Sequence, residues 1–106
     1  MILTVFRSRL REDARDEYMA LAPKISALAK GMPGYVSHKG FVAEDGERVT
    51  IVEFEDEESH KAWARQVDHV EAKRRGQASF YAEYSIQVCE VLRASKHVAP
   101  KVSSGT

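Results

Sequence analysis

The 106 residues suit a single domain with one core of limited depth. Apolar side chains make up 43% and charged ones 30%, ordinary globular values, and sixteen basic side chains cancel sixteen acidic ones. A chain without net charge has no strong field for a phosphate backbone, which argues against a nucleic-acid partner; no apolar run approaches the roughly 20 residues of a membrane span, which argues against a membrane.

The opening MILTVFRSRL alternates like a strand, is too short for the apolar stretch of a secretion signal and lacks its small-residue cleavage site. Over Ile2–Leu10 one face carries Ile2, Thr4, Phe6, Ser8 and Leu10, the other Leu3, Val5, Arg7 and Arg9. Asp13 is a candidate cap for the next helix, where Tyr18, Leu21, Ala22, Ile25, Leu28 and Ala29 recur at three- and four-residue spacing. Lys30, Gly31 and Pro33 end it. Gly34–Ala43 and Glu47–Glu55 read as strands joined by a hairpin turn at Asp45-Gly46. Asp56, Glu57 and Glu58 open a second helix, expected to run to about Gln66. Asp68 with Glu71 resembles a capping box, so a further helical piece is expected there, closing in Lys73, Arg74, Arg75 and Gly76.

Phe80–Arg93 reads as one long strand, rich in Tyr, Ile, Val and Phe with no Gly or Pro inside. Phe80, Ala82, Tyr84, Ile86, Val88, Glu90 and Leu92 alternate onto one face, and Tyr81, Cys89 and Val91 onto the other. At about 3.3 Å per residue it would span roughly 45 Å, more than the diameter of roughly 33 Å expected for a compact chain of this length. Part of it is therefore expected to reach onto a second copy. Residues 94–106 read as a loose tail beyond a domain of residues 1–93. Cys89 is the only cysteine, so no intrachain disulfide can form, and a cytoplasmic protein is the simplest reading.

The order β-α-β-β-α-β predicts a ferredoxin-like α+β sandwich: a four-stranded antiparallel sheet with helices on one face. The first and last strands are apolar on both faces, so a bare second face would expose a large patch. A homodimer closing sheet against sheet, a dimeric α+β barrel, resolves this. The alternative is a monomer with one solvated face.

Within Glu47–His69, ERVTIVEFEDEESHKAWARQVDH, an aromatic ends a strand (Phe54), an acidic helix start follows, and then come Trp63 and His69. Together with MPGYVSHKGF and FYAEYSIQVCEVLR, this segment resembles the antibiotic biosynthesis monooxygenase family, over about residues 1–93. The resemblance implies a dimeric α+β barrel and a small-molecule substrate. It leaves the chemistry open between several branches.

In the haem-degrading branch, as the resemblance has it, an Asn on the first strand, a Trp on the second helix and a His about ten residues later do the work. Here Trp63 is present, Lys73 stands where that His would be, and the chain contains no Asn. A protonated lysine cannot donate to iron as an imidazole does. The cofactor-free branch, which uses neither metal nor flavin, oxidises electron-rich phenols or hydroquinones whose own carbanion reduces O₂. It needs an apolar pocket, a base that titrates near neutrality and a donor for the forming oxyanion.

His69 is the candidate base, with Trp63 as a wall and indole donor. Arg7, Tyr81 and Tyr84 are candidates for polar substrate contacts, and His38, Phe54 and His60 complete the substrate-binding set. Tyr81 and Tyr84 alternate to opposite faces, so only one can face the pocket unless a bulge intervenes. Each has a plainer reading: Trp63 belongs to a stripe with Val67 and Val70 and can be core, and His69 can be a surface residue beside a cap. His60, one turn before Trp63, can take its place. The run Lys73-Arg74-Arg75 reads as a solvated helix end or the rim for an anionic substrate. No cluster has metal-ligand spacing.

The expected function is a cofactor-independent monooxygenase acting on a small aromatic or polyketide-like metabolite. The alternatives are a non-catalytic, ligand-binding or stress-related member of the same fold, an isomerase, or a haem-degrading enzyme. Fold does not choose between them.

Overall fold

The computed structural model describes residues 1–101, apart from the side chain of Val67. In chain order it has strand β1 (Ile2–Leu10), a 3₁₀ turn (Glu12–Ala14), helix α1 (Arg15–Lys30), strands β2 (Tyr35–Val42) and β3 (Arg48–Phe54), helices α2 (Glu57–Arg65) and α3 (Val67–Arg75), one π-helical turn (Gly76–Phe80) and strand β4 (Tyr81–Glu90). The four strands pair antiparallel in the order β2-β3-β1-β4, with the helices on one face. This is the α+β ferredoxin-like arrangement. Gly46 turns the β2–β3 hairpin with a φ of 89°, where a side chain would be strained.

The register sorts the side chains into two sets. Thr4 pairs Val52 and Val88, and Phe6 pairs Thr50 and Ile86; these rows lie under the helices. Leu3, Val5 and Arg7 pair Glu53, Ile51 and Val49 on the opposite face. The core is small. Ala29, Val52, Phe54 and Trp63 form its buried centre, flanked by Ile25, Leu28, Met32 and Tyr35.

Several local expectations change. Asp13 does not cap α1: it sits in the 3₁₀ turn, and the helix starts without a side-chain cap. The second helix ends at Gln66, where it was expected to end, but the cap of the next piece differs: the extended backbone of Gln66 (φ −59°, ψ 130°) lets its own side chain accept from the His69 N–H at 2.7 Å. The cap is therefore Gln66 and not Asp68. Asp56 caps α2 as its acidic start suggests, accepting from the Ser59 N–H at 2.7 Å.

The last strand is shorter than Phe80–Arg93. Phe80 belongs to the π turn, and residues 91–101 form no helix or strand, although the Val91 N–H still reaches the Met1 carbonyl at 3.0 Å. Of the tail 94–106, residues 102–106 lie outside the described residues. Near the start of β4 the register with β1 shifts between Arg9 and Leu10, which pair Glu83 and Tyr81. That bulge leaves Ala82 unpaired and turns Tyr81 to the same face as Tyr84. The π turn supports it: a Cβ on buried Gly76 would lie 2.5 Å from the Tyr81 ring, so only glycine lets the ring pack there.

Candidate functional site

Between the sheet and the helices lies a cavity of about 300 Å³, at the lower end of ligand-binding volumes. Its floor is the Thr4 and Phe6 rows, its roof comes from α1, α2 and α3, and its side is the exposed row Tyr84, Ile86 and Val88 on β4. That row is exposed, so the cavity opens there. No helix among the described residues is long and apolar enough to cross a membrane, and none of their His, Cys, Asp and Glu side chains group to hold a metal ion.

The break at Gln66 builds the centre of the site. By ending α2 it leaves the Trp63 carbonyl without a helical donor, and that oxygen accepts from the Gln66 N–H at 3.1 Å and from Nδ1 of His69 at 3.0 Å. A carbonyl can only accept, so Nδ1 carries the proton and Nε2 keeps its lone pair. The His69 ring also stacks on the Trp63 indole, centroids 3.9 Å apart and planes 11° from parallel. Behind Trp63 stands Phe54, fully buried, with centroids 6.3 Å apart. A hydrogen bond, a stack and a capped backbone thus fix one imidazole in one tautomer.

Burial pushes His69 from the ordinary histidine range down to about 4, opposed by its hydrogen bond to Trp63 and helped by the charge of Lys73. Two more histidines share the wall. His60, 8% exposed, reaches from α2 to the Thr4 hydroxyl with Nε2, and burial holds its pKa down. His38 projects from β2 opposite Val52, and burial lowers it as well. All three are neutral at pH 7. Lys73, one turn after His69, lines the same wall and donates to the Ala64 carbonyl at 3.3 Å.

Further along the strands the lining is aromatic. Tyr81 packs edge-on against Phe6 at 5.2 Å and tilts against Tyr84 at 5.7 Å, with Tyr18 6.3 Å away on α1. Burial, with Tyr18 adding to it, pushes the Tyr81 phenol up to about 12, so it stays a hydroxyl donor at any ordinary pH.

Six of the eight residues singled out from the sequence meet at this cavity: His38, His60, Trp63, His69, Tyr81 and Tyr84. The expectation that only one tyrosine could face it fails because of the bulge. Nor do His60 and His69 exclude each other; both line the wall. Trp63 is at once core and cavity wall. Phe54 lies behind the wall, outside the lining. Arg7 lies on the outer face of the sheet, paired with Glu47 at 2.8 Å, because alternation along β1 turns it away from Thr4 and Phe6. Val70, in the stripe read with Trp63, is exposed, and Val67's side chain lies outside the described residues. Thr4 and Gln77 were not foreseen in this wall, and of the run Lys73-Arg74-Arg75, read as a solvated helix end or an anionic-substrate rim, Lys73 alone lines it among the described residues. For Lys73 the signal was present, since it stands at i+4 from His69 and so shares its helix face.

A family model described as antibiotic biosynthesis monooxygenase matches residues 1–75. The chain belongs to that family. A search of curated proteins finds no match. Among solved structures, Rv0793 from Mycobacterium tuberculosis is 16% identical and superposes with a TM-score of 0.80, covering 90% of this chain and 98% of that one. SnoaB from Streptomyces nogalater, described as a cofactor-independent oxygenase, is 16% identical with a TM-score of 0.75, covering 88% and 94%. A further structure described as an antibiotic biosynthesis monooxygenase gives 14%, 0.76, 88% and 100%. At these identities the likeness speaks for the fold. The fold shared with these neighbours is the α+β ferredoxin-like one, built in this chain on a four-stranded antiparallel sheet.

Proposed function

We propose that this chain is a small oxygenase that acts as a homodimer on an electron-rich aromatic metabolite and needs neither metal nor flavin. The observation that carries the reading is His69: a neutral imidazole on the wall of an apolar cavity, with Nδ1 held by the Trp63 carbonyl and no partner for Nε2 among the described residues. Membership in the monooxygenase family and likeness to SnoaB support it.

In this reading Nε2 accepts the proton of a phenol or of an activated ring CH₂. The carbanion left behind gives its electrons to O₂ and forms a carbon–oxygen bond. The peroxide anion takes back the proton held by His69, and the hydroperoxide so formed loses water as its O–O bond breaks, leaving a C=O on the ring. One oxygen atom enters the product and the other leaves in water. Tyr81, protonated throughout, donates to the oxyanion as it forms. The low basicity of His69 works against proton abstraction, because a base does best with a pKa near the working pH. The anion formed beside the imidazolium offsets part of this, since opposite charges raise each other's ionisation in a dry site.

The same low basicity favours a second reading, in which the cavity binds a ligand without turning it over. Oxygen uptake with naphthol, hydroquinone and anthrone substrates separates the two. Consumption stoichiometric with quinone formation supports the oxygenase; binding with no uptake across the panel removes it.

The homodimer rests on surface. The chain exposes 7841 Å², against about 5,900 Å² for a compact monomer of 11.9 kDa. The excess of about 1,900 Å² includes the surface of residues 91–101, which form no helix or strand, and leaves room for the roughly 800 Å² that each partner of a standard interface buries. Leu3, Val5, Val49 and Ile51 lie half-buried on the outer face of the sheet, away from the helices. Sedimentation at micromolar protein should give a dimer; a well-folded single subunit would overturn this part of the reading.

A further inference from the structure

Lys73 and the lining around it carry an inference about what the cavity selects. Among the described lining residues there is no Asp, Glu or Arg, and Lys73 is the one charged side chain. No ion pair among the described residues engages it, and the Ala64 carbonyl takes a single one of its three N–H donors. Its neighbours in the run, Arg74 and Arg75, are used differently: Arg74 pairs with Glu71, and Arg75 lies over the Phe80 ring at 5.7 Å. The ammonium therefore faces an apolar cavity with donors to spare. A partly buried cation without a carboxylate favours an anion in the space beside it.

The position of that anion is set by the helix. His69 and Lys73 stand one turn apart on α3, so their side chains are neighbours on one face. An oxygen at Nε2 of His69 and a second oxygen at Nζ of Lys73 are thus approached from one side of α3, and a single ring bearing both groups close together serves both. The aromatic wall of Phe6, Tyr18, Tyr81 and Tyr84 begins one strand row further on, which gives the rest of a flat ring system its place.

We propose that Lys73 is the specificity-determining counter-ion of the site, and that the substrate is an aromatic hydroxy acid with a carboxylate next to the hydroxyl that faces His69. This rests on the reading of the cavity as the substrate site and adds the charge and the substitution pattern of the ligand. The positive charge that lowers His69 and His60 acts in the same sense: it opposes an imidazolium and favours an anion.

The test is calorimetric titration of the full chain with 1-hydroxy-2-naphthoate and with its neutral isostere 1-hydroxy-2-naphthamide. The acid should bind at least about tenfold more tightly, the worth of a charge-assisted hydrogen bond in a partly dry site. Lys73→Met should bring the two ligands within about twofold of each other, and Lys73→Arg should keep most of the preference. Equal affinities in the unaltered protein would overturn the proposal, and so would a preference that survives Lys73→Met. Circular dichroism checks that the Met variant folds, and the comparison of acid with amide in the unaltered chain decides the matter without it. Oxygen uptake is read separately: a preference for the acid without uptake removes the oxygenase and leaves the counter-ion, whereas uptake without the preference does the reverse.

Discussion

The two faces of the sheet treat their titratable side chains in opposite ways. On the outer face, Arg7 meets Glu47 at 2.8 Å, and Arg9 meets Asp45 at 2.6 Å and Glu83 at 3.0 Å. Hydrogen bonds to Glu47 and Asp45 raise Arg7 and Arg9, and the bond from Arg9 lowers Asp45, so these three groups are held in their charged forms. Under the helices, burial lowers His38, His60 and His69, so each is held neutral. Pairing in water preserves charge and contributes little to stability; desolvation removes charge and leaves lone pairs available for chemistry. One strand, β1, supplies both faces, with Arg7 and Arg9 on one and Thr4 on the other.

The contrast can be broken by mutation. Replacing the base should have the largest effect: His69→Ala should lower oxygen uptake by about 100-fold or more, the usual worth of a positioned base, while the oligomeric state is unchanged. Unchanged turnover would remove His69 from the mechanism. A second effect is on stability. An unfolded histidine takes up its proton near its ordinary value of about 6.5, whereas native His69 does so at about 4. Stability should therefore fall as pH drops from about 6.5 to about 4, with no further loss from this group below that. His38 and His60 act in the same direction. Denaturant midpoints across that range should slope in the unaltered chain and slope less in His69→Phe; equal slopes would mean that the ring is not desolvated. The smallest effect is expected outside the cavity. Arg9→Ala removes two exposed ion pairs and should leave both oxygen uptake and the melting temperature close to those of the unaltered chain. A large loss would place Arg9, Asp45 and Glu83 inside the subunit contact of the proposed homodimer and not outside it.

Which residues could be read in advance follows from how local their placement is. His60 and Trp63 are fixed by helix spacing after the Asp56 cap, and strand alternation is enough to separate Thr4 and Phe6 from Arg7. Alternation misplaces Tyr81, because the bulge opposite Arg9 and Leu10 resets the face of β4 at that point. The position of His69 was legible, but its state was not. Its tautomer depends on a carbonyl freed by a helix break at Gln66, a residue with no strong breaking propensity. Lys73 looked like its arginine neighbours until the packing separated it from them.

By itself the sequence determined the strand and helix order, the ferredoxin-like topology and the chemical inventory, because periodicity, turn residues and caps act within a few positions of the chain. The meeting of His38 from β2, His60 from α2, and His69 and Lys73 from α3 over Thr4 of β1 was decided by tertiary structure alone. Desolvation, tautomer and charge depend on what surrounds a group in space, and those surroundings come from segments far apart in the chain.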